Sequence, residues 1–278
     1  MSAVSFFGRR RGERQDGPSG SPRRRLLVSG NWKMHLTHLD AIKVVQQLVL
    51  RLDREDYRSV EVSIHPAFTA LRSVQVFLEG EGIPIVVGAQ DVYFEEQGAF
   101  TGEIGALMLA ALDVHYVIVG HSERRRLFGE TDEIVNEKVH AVLGAGMTPI
   151  CCVGDSLEQH ESGATHDIVV SQVGAALRGV PVEAAAGLVI AYEPLWAIGT
   201  GRIAAPQHAQ VTCAGIRAVV SEIYDADVAR TLRVQYGGSV EPDSAAELLA
   251  QPDIDGVLVG GASLDPERFA AIVAAGRA

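Results

Sequence analysis

Residues 187–201 read GLVIAYEPLWAIGTG, an apolar run of strand length that ends at a carboxylate, Glu193. A short, continuous apolar run predicts a strand that is covered on both faces, as in a parallel sheet. Seven similar runs occur elsewhere in the chain: LLVSG (26–30), VEVSI (60–64), IPIVVG (83–88), YVIVG (116–120), TPICCV (148–153), LRVQY (232–236) and GVLVG (256–260). The sequence therefore predicts eight buried strands.

Longer segments with helical periodicity separate these runs. In residues 37–52, 131–146 and 206–224 the apolar residues recur three and four positions apart, and Thr131 is a plausible N-cap. An alternation of strand and helix repeated eight times predicts the α/β class and a single (β/α)8 barrel, or TIM barrel. An open, doubly wound sheet would give the same alternation, so the spacing alone leaves both architectures open.

The composition is that of a globular protein with one large core. The chain has 278 residues, of which 47% are hydrophobic, and a barrel of this length is commonly one domain. No apolar run approaches the roughly 18 residues that cross a bilayer, and the N-terminus lacks the apolar core of a secretory signal. Three cysteines, two of them adjacent, indicate neither a disulfide framework nor a zinc site. We expect a cytoplasmic protein without a membrane partner.

The charge divides the chain near Leu26. Residues 1–25 contain seven arginines against Glu13 and Asp16, a net charge of +5. Because the whole chain has a net charge of −11 at pH 7, residues 26–278 have a net charge of −16. The segment GPSGSP (17–22) and the lack of hydrophobic periodicity predict a short disordered N-terminal extension over 1–25, followed by the barrel domain over 26–278. The acidic barrel argues against nucleic acid as a partner.

Polar residues follow several of the predicted strands at their carboxyl ends, where barrels of this type carry their chemistry. Asn31 and Lys33 follow the first strand, His121 the fourth and Glu193 the sixth. The seventh and eighth strands lead into glycine-rich turns, YGGSV (236–240) and GGASL (260–264). Glycines allow backbone N–H groups to approach an anion closely, so these two turns predict a phosphate site.

As a set, GNWKM (30–34), GHSERR (120–125), YEPLWAIGTG (192–201), YGGSV and LVGGASL (258–264) resemble the triosephosphate isomerase family, in order and spacing, over 26–275. The resemblance implies that Glu193 is the base and that neutral His121 is the electrophile in the interconversion of glyceraldehyde 3-phosphate and dihydroxyacetone phosphate. It implies that Lys33 and Asn31 bind the substrate and that Glu123 supports the lysine. It further implies a phosphate site at Gly199, Ser239, Gly260 and Gly261, and no metal or organic cofactor.

The resemblance also concerns mobility and assembly. Residues 194–204 resemble a lid that closes over the catalytic glutamate. The segment QGAFTGEIG (97–105) resembles the family's interdigitating loop, which implies a homodimer with Thr101 near the partner's active site.

Two residues depart from the usual pattern: Asp155 replaces a glutamate after the fifth strand, and Asp91 replaces an asparagine.

Other functions fit single features of the sequence less well. GTGRIA (199–204) imitates a dinucleotide fingerprint but does not directly open a helix after its strand. An aldolase of the Schiff-base kind needs a lysine at a strand end, and the fifth to eighth predicted strands contain none. Another phosphosugar enzyme on the same barrel and a barrel that only binds phosphate remain alternatives. A binding protein has no need to keep Glu193, His121 and Lys33 together.

Overall fold

The computed structural model describes residues 24–198 and 204–277. In these ranges eight parallel strands form a closed barrel in sequence order, which excludes the open sheet. The strands are β1 Leu26–Asn31, β2 Val60–His65, β3 Val86–Ala89, β4 Tyr116–Val119, β5 Thr148–Asp155, β6 Val189–Pro194, β7 Arg233–Tyr236 and β8 Gly256–Val259.

Helices cover the outside of the barrel between successive strands. In the described ranges they are α1 His38–Val49, α2 Arg54–Ser59, α3 Phe68–Gly80, α4 Ala106–Ala110, α5 Ser122–Phe128, α6 Asp132–Gly144, α7 Leu157–Glu161, α8 Thr165–Ala176, α9 Val182–Ala185, α10 Pro206–Ile223, α11 Ala226–Thr231, α12 Pro242–Leu249 and α13 Pro266–Ala274. Short 3₁₀ helices lie at Leu195–Ala197, Gly261–Leu264 and Ala275–Arg277. No helix of this part of the chain is both long and apolar enough to span a membrane.

The side chains of each strand alternate between the barrel interior and the helix layer. Residues such as Leu27, Ile118, Ile150 and Val189 form a small cluster inside the barrel, separate from the larger core between strands and helices. The barrel closes where β1 pairs with β8. At this seam Gly256 has φ 149°, and a Cβ there would overlap the carbonyl oxygen of Leu27, so the position requires glycine.

All eight predicted strands are confirmed, with ends that shift by a few residues. The largest shift is in β3, which begins at Val86 instead of Ile83, because Pro84 lacks the N–H group that a strand ladder needs. The predicted caps are also present: the hydroxyl oxygen of Thr131 accepts the N–H of Ile134 at the start of α6.

The last two residues of the predicted extension lie in the described part of the chain. Arg24 and Arg25, which the sequence places in the extension, are bonded to the barrel. The Arg24 Nε atom donates to Oδ1 of Asp255 at 2.5 Å, and Arg25 donates to the carbonyl oxygens of Tyr57 and Val60. Residues 1–23 lie outside the described residues.

Candidate active site

The loops at the carboxyl ends of the strands surround a cavity of about 360 Å³. Seven of the predicted site residues line it: Asn31, Lys33, His121, Glu193, Ser239, Gly260 and Gly261. Because parallel strands of a barrel end at one face, residues that lie up to 230 positions apart in the sequence meet there. Gly199 and most of the predicted lid, residues 199–203, lie outside the described residues.

Glu193 lies near the end of β6 and is 2% exposed. Its Oε2 atom accepts the backbone N–H of Ser122 at 2.8 Å, and its Oε1 atom lies 3.0 Å from Nε2 of His121. Burial raises the pKa of this carboxyl, whereas the hydrogen bonds from the His121 ring and the Ser122 N–H and the positive charge of Lys33 lower it, and the net pKa is below the ordinary value. Glu193 is therefore an ionised carboxylate at neutral pH, in the form that accepts a proton.

His121 is the N-cap residue of α5, and its Nδ1 atom accepts the backbone N–H of Glu123 at 3.2 Å. Burial lowers the pKa of His121, whereas the carboxylates of Glu193 and Glu123 raise it, with an upward net direction. The Nδ1 contact acts against protonation, because a protonated Nδ1 would direct its hydrogen at the N–H of Glu123. This contact assigns the neutral tautomer, with the proton on Nε2, where it faces Oε1 of Glu193.

Lys33 follows β1 with a positive φ of 52°, a conformation that costs energy for any residue except glycine. Its backbone N–H donates to Oδ1 of Asn31 at 3.0 Å. Its Nζ atom donates to Oε1 of Glu123 at 2.6 Å. The strained backbone thus directs the ammonium group across the cavity toward α5.

Gln90 is a site residue that the sequence analysis missed. One amide group of this side chain donates to two carbonyl oxygens, those of Lys33 and His65, both at 2.8 Å. The bonds join the loop after β1 to the end of β2 and hold the strained turn at Lys33. The sequence offered a signal, because Gln90 is a polar residue two positions after the predicted third strand (83–88), at the end where the site residues lie.

The two glycine-rich turns border the cavity, but their glycines serve different purposes. The N–H of Gly237 donates to the carbonyl oxygen of Tyr192 at 2.7 Å, so it is not available to an anion. A Cβ at Gly237 would lie 3.0 Å from Cγ of Glu193, so this glycine makes room for the carboxylate. Gly260 lies beside Lys33, since a Cβ there would come within 3.8 Å of the Nζ atom. The glycine-rich turn after β8 therefore lies next to the ammonium group of Lys33.

Cys152 lies inside the barrel and is fully buried. Burial, together with the nearby carboxylate of Glu193, raises the pKa of this thiol well above its ordinary value. The thiol is protonated at neutral pH, as expected for a residue that packs.

Thr101 does not belong to the cavity of its own chain. It is exposed in the loop between β3 and α4, and this loop also carries Phe100, whose ring packs on Tyr93 with centroids 4.7 Å apart.

Among the residues that the structure describes, no cluster of three or more histidine, cysteine or acidic side chains is arranged to hold a metal ion.

Comparison with known proteins agrees with this geometry. The model of the family described as triosephosphate isomerase matches residues 26–276. The triosephosphate isomerase of Streptomyces avermitilis is 51% identical over 246 residues, which cover 88% of this chain and 95% of the relative. That of Corynebacterium efficiens is 50% identical, with 90% and 96% covered, and that of Carboxydothermus hydrogenoformans is 49% identical, with 90% and 98% covered. The chain belongs to the triosephosphate isomerase family.

Proposed function

We propose that this protein interconverts glyceraldehyde 3-phosphate and dihydroxyacetone phosphate through a cis-enediol or enediolate intermediate. The observation that carries the proposal is the arrangement of Glu193, His121 and Lys33 around one cavity that two glycine-rich turns border. A carboxylate, a neutral N–H donor and a fixed cation are the groups that this reaction needs. The names of the relatives support the same substrates.

In the first step Glu193 removes a proton from the carbon next to the substrate carbonyl. Such a proton is weakly acidic, so the negative charge that develops on the oxygen needs donors already in place. The depressed pKa keeps Glu193 ionised. Both of its oxygens are engaged, with Ser122 and His121, so the carboxylate must leave at least one of these contacts to reach a carbon atom.

His121 donates from Nε2 to the carbonyl oxygen and then to the enediol oxygens. The Nδ1 contact with the N–H of Glu123 supports this role, because it leaves the ring proton on the nitrogen that faces the cavity. A neutral ring is also a better match than a cation, since its acidity is closer to that of an enediol. Glu193 then returns the proton to the neighbouring carbon, which completes the isomerisation.

Lys33 and Asn31 bind the substrate. The Oδ1 atom of Asn31 accepts the N–H of Lys33, so Nδ2 is the amide group that remains to donate to a substrate oxygen. The Lys33 ammonium supplies positive charge beside Gly260, where Ser239, Gly260, Gly261 and Gly199 would donate to the phosphate. The mechanism requires no metal or organic cofactor.

We further propose that the protein is a homodimer. Large exposed apolar side chains follow the first three strands, which are neighbours in the barrel: Met34 at 93%, Phe68 at 37%, Phe100 at 38% and Met108 at 55% exposure. An apolar surface of this kind is characteristic of a protein interface. In such a dimer the loop that carries Thr101 would contact the partner's active site.

We place the reaction in glycolysis and gluconeogenesis, in the cytoplasm. The three cysteines are free and buried thiols, which suits a reducing compartment.

A coupled assay with purified protein and glyceraldehyde 3-phosphate tests the proposal. We expect rapid formation of dihydroxyacetone phosphate, with the same rate in the presence of a metal chelator. A protein that binds the substrate without converting it would contradict the proposal and favour the binding-only alternative.

A further inference from the structure

The mouth of the cavity carries an unfavourable charge for an anionic substrate. Lys33 is paired with Glu123, and Arg268 is paired with Glu241. Glu193 adds one negative charge, because its partners are a backbone N–H and the neutral His121 ring. The charged side chains of the described residues that line the cavity, taken with their partners, therefore sum to −1. A phosphate monoester carries nearly two negative charges, so a cation that can change partner would favour its capture.

Arg268 is placed to make this change. It belongs to α13, which follows the eighth strand and its glycine-rich turn, whereas Glu241 follows the seventh turn and precedes α12. Both side chains line the same cavity as Ser239 and Gly260. The side chains of Arg268 and Glu241 are 45% and 40% exposed, so their ion pair lies at the rim and in contact with water.

The exchange of partners is favourable for physical reasons. An exposed ion pair contributes little stability, because water screens both charges. A phosphate group offers a larger charge than a carboxylate and accepts two parallel hydrogen bonds from a guanidinium group. Arg268 therefore gains more from a phosphate at the rim than it loses on leaving Glu241. The pair thus keeps a guanidinium group at the entrance of the site until an anion arrives.

We propose that Arg268 is a rim residue that captures the phosphate group of the substrate and exchanges Glu241 for it. The inference rests on the proposed function and adds a binding residue to it. Arg268 lies at the entrance and is paired with Glu241, whereas Glu193 is bonded to Ser122 and His121, so Arg268 acts on substrate association and not on proton transfer. Its effect belongs in kcat/KM, with kcat unchanged.

Four variants test the proposal: Arg268→Gln, Arg268→Lys, Glu241→Gln and Arg230→Gln. Arg230 is the matched control, because it is an exposed arginine in an ion pair with Asp227 and precedes β7, on the face opposite the cavity. The measurement is kcat and kcat/KM for glyceraldehyde 3-phosphate at about 0.01 M and about 0.15 M ionic strength, where the Debye lengths are about 30 Å and 8 Å.

We expect Arg268→Gln to lower kcat/KM by about threefold to tenfold at low ionic strength, with less effect at higher ionic strength. Glu241→Gln should raise kcat/KM, since it frees the arginine, and Arg268→Lys should retain most of the wild-type value. In all four variants kcat should stay within about twofold of wild type. Equal losses in Arg268→Gln and Arg230→Gln would show a general charge effect and overturn the proposal, as would an unchanged kcat/KM in Arg268→Gln.

The experiment distinguishes failure of this inference from failure of the proposed function. In that case the wild-type protein itself would not convert glyceraldehyde 3-phosphate. Titration of wild type and Arg268→Gln with inorganic phosphate would then decide the role of Arg268. Weaker binding by the variant would support phosphate capture at the rim, and equal binding would overturn it.

Discussion

The Nε2 atom of His121 lies 3.0 Å from Oε1 of Glu193, and the other ring nitrogen accepts the N–H of Glu123. The ring is thus held between a carboxylate and the first turn of α5, with its proton on the side of the cavity. This contact ties the proposed base to the proposed electrophile before any substrate binds.

Replacement of Glu193 by glutamine removes the proton acceptor and keeps the shape of the side chain. We expect kcat to fall by at least about 10² to 10⁴-fold, which is the usual contribution of a general base. Glu183→Gln is a suitable control, because Glu183 is exposed on α9, before β6 and away from the cavity. A Glu193→Gln protein with kcat within about threefold of wild type would contradict the assignment of Glu193 as the base, because a general base contributes much more than threefold.

Two substitutions of Lys33 separate its charge from its backbone strain. Lys33→Ala and Lys33→Gly should both lose turnover and apparent affinity, because both lack the ammonium group. The glycine variant should be more stable than the alanine variant by roughly 0.5 to 1 kcal/mol, since only glycine adopts the positive φ without cost. Steady-state kinetics and denaturant unfolding provide the measurements. Loss of stability without loss of turnover would assign Lys33 a structural role.

Gln90→Met tests the clamp on the loop that carries Lys33. The variant keeps the volume of the side chain but removes the donor to the carbonyl oxygen of Lys33 and one of two donors to that of His65, which still accepts the N–H of Trp32. We expect a loss of about 1 to 3 kcal/mol in the free energy of unfolding. Gln47→Met is the control, because Gln47 is exposed on α1. Equal stability of the two variants would show that the clamp contributes nothing.

The buried His65 should make stability fall in acid. Burial lowers its pKa from 6.5 to about 4, while Nδ1 and Nε2 face the Ala89 carbonyl oxygen and the Ser63 hydroxyl. Below the pKa that His65 has in the unfolded chain, the unfolded chain binds a proton that the folded protein does not bind. The free energy of unfolding therefore falls from about pH 6.5 down to about pH 4. We expect a loss of about 2 kcal/mol between about pH 7 and pH 5 from this residue.

Unfolding of wild type and His65→Gln at fixed protein concentration measures this contribution. The variant should be less stable at neutral pH but should show a smaller dependence on pH. Parallel pH profiles of the two proteins would contradict the assignment to His65.

Two shortened chains test the N-terminal region. A chain that begins at Arg24 should keep kcat and KM within about twofold, because the segment enters the barrel on the face opposite the cavity. A chain that begins at Arg25 should keep the same kinetics but lose about 1 to 2 kcal/mol of stability, since Asp255 loses one of its two arginine partners. A tenfold loss of kcat/KM in both chains would show that residues 1–23 contribute to the site or to assembly.

The pattern of residues predicted the number of strands and most of the cavity, whereas the choice of a closed barrel over an open sheet came from the family resemblance and was confirmed by the strand pairing. Eight apolar runs fixed the elements, because a strand buried on both faces must be apolar throughout. His121 and Glu193 directly follow such runs and Lys33 lies three residues after one, so a single rule brings them together: all strand ends of a parallel barrel meet at one face.

The contacts between these residues follow from the three-dimensional packing and not from the sequence pattern. The clamp from Gln90 to Lys33, the N–H of Gly237 that is already used by Tyr192, and the Arg268–Glu241 pair join segments that are distant in the chain. Periodicity records which face of an element is buried, but it does not record which side chain of another element lies opposite. Hydrogen bonds and ion pairs depend on distances of about 3 Å, which the packing of the whole barrel sets.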